Sequence, residues 1–103
     1  MKIEYPAQIV QEEDGIFFVS FPDIEEAVTQ GDALEEALFN ASEVLSLTLE
    51  YRLDEGLDLP EPSSVTGENI YFISPDVKVQ AALLISKSRE GKSLADLARI
   101  LET

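Results

Sequence analysis

The sequence predicts a single α+β domain: a three-stranded antiparallel meander, a long amphipathic helix, a fourth strand and C-terminal helices. Three observations carry that expectation. Apolar and polar residues alternate from Lys2 to Ile9, apolar residues recur at three- and four-residue steps from Leu34 to Leu49, and turn-forming residues separate these stretches. With 103 residues, 45% hydrophobic and 27% charged, the chain is long enough for one core and lacks the apolar poverty of disordered chains.

Ile3, Tyr5, Ala7 and Ile9 alternate with Lys2, Glu4, Pro6 and Gln8, the period of a half-buried strand. Pro6 has no N–H for a ladder, so this strand is expected at a sheet edge, or with that nitrogen turned to solvent. Glu12-Glu13-Asp14-Gly15 supplies the turn of a hairpin. The second strand, Ile16 to Phe21, is apolar on both faces and is therefore expected to be central. Pro22-Asp23 interrupts it, and Ile24-Glu25-Glu26 leads into a short third strand, Ala27 to Gln30.

Gly31-Asp32 opens the helix, with Asp32 as the expected N-cap and Glu35 as its capping-box partner. Leu34, Leu38, Ala41, Leu45 and Leu49 mark its buried face, and no Gly or Pro intervenes before Gly56, the expected C-cap. That spacing allows about 23 residues, about 34 Å of helix. Leu57 to Glu68, with Pro60 and Pro62, reads as an extended connector, and Asn69 to Ile73 as a returning strand. A helix from Val77 to Arg89 with Val77, Ala81, Leu84 and Ile85 on one face, then a last helix from Leu94 to Leu101, complete the chain. The expected division is residues 1–74 as the sheet domain and 75–103 as a helical segment.

Charge narrows the function. The chain carries 21 acidic and seven basic residues and no His, a formal net of −14. Residues 1–76 hold 18 Asp and Glu against Lys2 and Arg52, a net of −16, whereas residues 77–103 hold five basic and three acidic residues, a net of +2. An acidic body repels phosphate and attracts cationic surfaces; equally, an acidic surface keeps a small protein soluble. The absence of Cys excludes disulfides, thiolate metal sites and a cysteine nucleophile. The serines, Ser20 among them, have no His for a His-based triad. The longest apolar runs, such as Ala81 to Ile85, fall far short of the roughly 20 residues of a membrane helix, and no signal-peptide layout opens the chain. The expectation is a soluble cytoplasmic protein with no cofactor and no metal.

Several spaced motifs then point to a family. Tyr5-Pro6-Ala7, Gly15 with Val19-Ser20-Phe21-Pro22-Asp23, Val28-Thr29-Gln30-Gly31-Asp32, Leu34-Glu35-Glu36-Ala37, Asn40-Ala41 and Pro60-Glu61-Pro62-Ser63 resemble the HicB antitoxin family over residues 3–73. The resemblance implies a partly degenerate ribonuclease H-like fold and a non-enzymatic protein that binds and inhibits a basic, RNA-cleaving HicA-type toxin. The residues themselves offer a candidate toxin-binding rim at Phe21, Pro22, Asp23, Glu25, Glu26 and Gln30, whose carboxylates, with that of Asp32, present acceptors to Arg, Lys or a catalytic His of the partner. The structural reading assigns Phe21 to the core, Pro22 to a turn and Asp32 to the helix cap.

Ser93 to Leu101 looks like the first helix of a helix-turn-helix, and Lys87, Arg89, Lys92 and Arg99 are the candidate DNA-facing residues. The chain as given ends at Thr103, before the second helix that reads bases. Operator DNA is thus an expected partner only in an incomplete sense, and those four cations read equally as a solvated face. Leu83, Leu84 and Ile85, with Leu47, Tyr51 and Leu53, exceed what one helix face needs; intramolecular packing or a homodimer or higher homo-oligomer accounts for them. Two alternatives to the antitoxin reading are a metal-dependent nucleic-acid hydrolase and a DNA-binding repressor. The first lacks a basic groove for a polyanion in residues 1–76, and the second lacks its recognition helix.

Overall fold

Alternating residues, a tight turn and a long apolar stripe give a sheet with one helix laid across it. The computed structural model describes residues 3–87. In chain order these form β1 (Tyr5–Gln11), β2 (Phe17–Phe21), β3 (Ile24–Gly31), α1 (Leu34–Asp54), β4 (Ile70–Ile73) and α2 (Val77–Lys87). The strands make one antiparallel sheet in the order β3-β2-β1-β4. The α+β expectation and the meander hold. The expected last helix, Leu94 to Leu101, lies outside the described residues.

Gly15, at φ 91°, closes the first hairpin. Its N–H donates to the Glu12 carbonyl at 2.9 Å, and the Asp14 carboxylate accepts from the Ile16 N–H at 2.9 Å. β2 is central, as its two apolar faces predict. β1 is also central, which corrects the edge expectation drawn from Pro6. The Ile9 N–H donates toward the β4 side, to Asn69 O, so the even-numbered nitrogens of β1 face β2. The β1–β2 ladder begins only at Gln8↔Ser20, and Pro6 therefore sits where no donor is required. Proline is tolerated in a central strand because the ladder on that side starts two residues later.

β3 is longer than the stretch Ala27 to Gln30. Its register with β2 steps from Ser20↔Val28 to Phe21↔Ile24, so one step along β2 spans four along β3. Glu25, Glu26 and Ala27 form a bulge that leaves the ladder and re-aims their side chains.

α1 runs 21 residues and ends at Glu55 and Gly56. Gly56 takes φ 67°, with its N–H on Leu53 O and the Leu57 N–H on Arg52 O, the paired bonds of a Schellman cap. The N-terminus differs from expectation. Ala33 is the N-cap and no side chain caps it. Glu36, rather than Glu35, reaches back to accept from the Asp32 N–H at 2.6 Å. The fully buried stripe is Ala37, Ala41, Leu45 and Leu49, while Leu34 and Leu38 are half-buried at its flank. Small residues lead because α1 approaches β3 closely. A Cβ on Gly31 would lie 2.5 Å from the Ala37 backbone nitrogen.

α2 turns Val79 and Leu83 into the core, and Val77 is 86% exposed. The face predicted from Val77, Ala81, Leu84 and Ile85 is therefore rotated, because Asp76 fixes the start of the helix. Its carboxylate accepts from the Val79 N–H at 2.8 Å. The Gln80 side chain then bonds both backbone groups of Ile3, as a neighbouring strand would. Leu83 and the half-buried Leu53 and Leu84 thus pack within the chain, whereas Leu47 and Tyr51 remain exposed.

One sheet face is covered and the other is open. The register places Tyr5, Ala7, Ile9, Val19 and Ile73 under the helices, and Pro6, Gln8, Val10, Phe18, Ser20, Val28, Gln30, Ile70 and Phe72 on the opposite side, where Pro6 alone of these nine is fully buried. Gly31→Ala is expected to destabilise the protein by about 1–3 kcal/mol, since the added methyl meets backbone rather than a yielding side chain. Urea denaturation measures this, and an unchanged midpoint would mean that α1 does not press on β3.

Candidate functional site

The six residues expected to meet a partner lie on β2, β3 and the turn between them, and the structure uses them in different ways. Phe21 is buried at 2% exposure and belongs to the core. Pro22 is exposed in the turn and Glu25 in the bulge. Gln30 is exposed, and its backbone carbonyl accepts from Asn40 Nδ2 at 2.9 Å, tying β3 to α1. Asp23 is half-buried, and its Oδ2 accepts from the Ser63 N–H at 2.8 Å. It anchors the connector across the end of the sheet.

Glu26 is the most engaged of the six. Arg52, near the end of α1, grips it with a fork: Nε to Oε2 at 2.8 Å and Nη2 to Oε1 at 2.7 Å. The third arm, Nη1, donates to the Asp58 carbonyl at 2.8 Å. Hydrogen bonds from Arg52 hold the Glu26 carboxyl at about 2, below its ordinary 4.5. The same bonds raise Arg52. One guanidinium therefore joins β3, α1 and the connector, a role planar Arg performs and Lys does not. Sequence reasoning missed Arg52. Its near-isolation among 18 acidic residues was the available signal.

The connector is held at a second point. The buried Tyr5 donates its hydroxyl to the Pro60 carbonyl at 2.7 Å. Burial, with Glu61 and Asp23 nearby, pushes this phenol up, while Arg52 pulls in the other direction. It stays a neutral donor. Elsewhere a groove of about 370 Å³ lies between α1 and the start of α2, with Phe39 and Leu47 exposed along it beside Glu43 and Glu50. On its floor Ser42 Oγ donates to Ser74 O, and Ser46 Oγ donates to Ser42 O and accepts from the Asp76 N–H. Those hydroxyls serve the fold.

Among the described residues no group of three or more carboxylates is placed to hold a metal ion, and no helix is long and apolar enough to cross a membrane. Of the candidate DNA-facing residues, Arg89, Lys92, Arg99 and the side chain of Lys87 lie outside the described part.

Comparison with known proteins agrees with this architecture. Residues 4–81 match the family described as HicB-like antitoxin of bacterial toxin-antitoxin system. Antitoxin HicB 2 of Photorhabdus laumondii is 34% identical over 101 residues, covering 98% of this chain and 71% of that protein. Antitoxin HicB 1 of the same organism is 43% identical over 63 residues, covering 61% of this chain and only 41% of the relative. A chain in a structure described as the HicA3 and HicB3 toxin-antitoxin complex superposes with a TM-score of 0.58 at 26% identity, over 72% of this chain and 99% of that one.

The Arg52–Glu26 pair has a pH signature. Because the folded pKa of Glu26 is depressed, its stabilisation is complete above about 4.5 and is lost as pH falls through about 2. The Glu26 side chain is 50% exposed, so solvent screening keeps the contribution to about 1 kcal/mol or less. Glu26→Gln is expected to melt up to roughly 4–8 °C below wild type near neutrality, with the gap closing toward about pH 2. Thermal unfolding across that range measures it, and a constant gap would show that the pair does not titrate as described.

Proposed function

The chain belongs to the HicB-like antitoxin family of bacterial toxin-antitoxin systems, and from that premise we propose that it binds a basic HicA-type toxin and silences it by covering its RNA-cleaving site. The observation that carries this reading is acidity without an internal answer. Residues 1–76 carry a net of −16, and Arg52, one of their two cations, is already committed to Glu26 and the connector. Such a surface repels RNA and draws in a cationic protein. The likeness to a chain of the HicA3 and HicB3 complex supports a HicA-type partner.

On this reading the protein performs no chemistry of its own, in keeping with relatives that are named antitoxins. It acts in the cytoplasm, where an RNA-cleaving toxin meets its substrate. Pro22, Glu25 and Gln30, exposed on the β2–β3 rim, meet the toxin directly. Asp23 and Glu26 shape that rim through their internal bonds and add to its negative field.

The purified product of the adjoining reading frame is the natural test partner. It is expected to be basic, to form a complex with this chain, and to lose RNA-cleaving activity in proportion to the amount bound. Binding should weaken roughly tenfold or more between about 0.1 M and about 1 M salt, as the Debye length falls from about 10 Å to about 3 Å. A neighbour that is not basic, or a complex indifferent to salt, would overturn the reading.

A further inference from the structure

We propose that the open face of the sheet, whose cross-strand paired residues include no charged one, is the surface on which the cationic partner seats; the inference rests on the antitoxin reading and names the surface through which it operates. With 21 acidic and seven basic residues in 103, nine cross-strand paired residues on one face, the buried Pro6 among them, without one charge are a departure from the rest of the molecule. A merely solvated sheet face alternates polar and charged residues outward. This one presents Val10, Phe18, Val28 and Phe72, one from each strand, at 37%, 40%, 47% and 44% exposure.

Val10, Phe18 and Val28 lie near one another in the sheet, and Phe72 lies farther along it, paired with Pro6. Phe18 pairs directly with Val10 on one side and with Gln30 on the other, and Val28 pairs with Ser20, which pairs in turn with Gln8. The polar groups among them are amides and a hydroxyl, which bond to a partner without the desolvation cost of a charge. Two Phe and two Val without a charge is the composition of the middle of a protein interface, not of a free surface.

The surroundings select the occupant. Glu12, Glu13 and Asp14 are exposed at the turn joining β1 and β2, and Glu25 is exposed in the bulge toward the other end. A second copy of this chain would bring the same carboxylates against themselves, at a net of −14 per chain, within about one Debye length. That arrangement is repulsive. A cationic protein instead meets carboxylates at both ends of the sheet while its apolar side chains cover Phe18 and Phe72. The rim then governs how fast the complex forms, and the face governs how long it lasts.

The test measures binding of the purified basic product of the adjoining reading frame to wild type, to Phe18→Asn, to Val28→Lys, and to Leu47→Asn as a control on the outer side of α1. Leu47 is 67% exposed and remote from the open face. Circular dichroism and sedimentation of each variant check folding and self-association. Val28, nearly half-exposed on an edge strand, accepts lysine without disturbing the core. The expected result is that Phe18→Asn and Val28→Lys each weaken binding by roughly thirtyfold, mainly through faster dissociation, while Leu47→Asn stays within about threefold.

Wild-type binding that the two sheet variants leave intact would overturn this inference and spare the antitoxin reading. So would a wild-type homodimer that the sheet variants split without affecting toxin binding, which would assign the face to a second copy. No binding by wild type would remove the antitoxin reading and this inference with it.

Discussion

Close approach of α1 to β3 is the constraint on which the rest of the molecule depends. Gly31 and Ala37 meet at backbone distance, and Ala27, Ala37 and Ala41 are fully buried around that contact. Leu45 and Leu49 follow on the same stripe, each contributing about 1.5–3 kcal/mol by leaving water. The carboxylates of the first half of α1 then face outward, which puts Glu35, Glu36 and Glu43 in solvent. The single long helix covers one side of a four-stranded sheet, and no described element of comparable size covers the other. The open face is thus a consequence of the architecture: a helix placed by alanines and a glycine on one side leaves the reverse side of the same strands available.

Electrostatics work against this arrangement at short range and in its favour at long range. A body with 16 more acidic than basic residues repels itself, a standing cost to a domain whose total stability is of the order of 5–15 kcal/mol. Arg52 relieves part of that cost. It neutralises Glu26 and fixes Asp58 through its carbonyl, and so holds the acidic connector against the acidic sheet. The pair between Lys78 and Glu50, at 3.7 Å with Lys78 84% exposed, adds little by comparison. Retaining such a surplus of carboxylates despite the self-repulsion makes sense where the field itself is useful.

Much of the fold was legible in the sequence because its signals are local. Period-two alternation located β1 and β2, Gly15 and Gly56 marked a turn and a helix end, and the motifs from Tyr5 to Ser63 pointed to the family whose profile spans residues 4–81. The misreadings share a cause, which is that the deciding partner is remote in sequence. Leu38 outranks Ala37 on any hydrophobicity scale, yet only the proximity of Gly31 makes Ala37 the buried one. Pro6 implied an edge because the ladder offset that accommodates it belongs to β2. Asp32 was a plausible cap until Glu36 took up its N–H. The same holds for the rim. Choosing Glu26 as a contact could not anticipate that Arg52, 26 residues away, would occupy both its oxygens.

The open face could not be read from the sequence at all, and the reason bears on how such a protein works. Val10, Phe18, Val28 and Phe72 come from four strands, and each looks ordinary in its own segment; only the register gathers them. Charge, by contrast, is a sum that needs no register, which is why composition alone raised a cationic partner beside the reading of a solubilising surface. The two signals act over different ranges. A net charge is felt about a Debye length away and weakens with salt, whereas apolar contact acts only at touching distance and depends on shape. A protein that must find one cationic partner and then retain it needs both, and they need not reside in the same residues. On the proposed reading, carboxylates at the ends of the sheet draw the partner in before any contact forms, and an uncharged middle lets the two surfaces meet without burying an unpaired charge, the one step that long-range attraction does not offset.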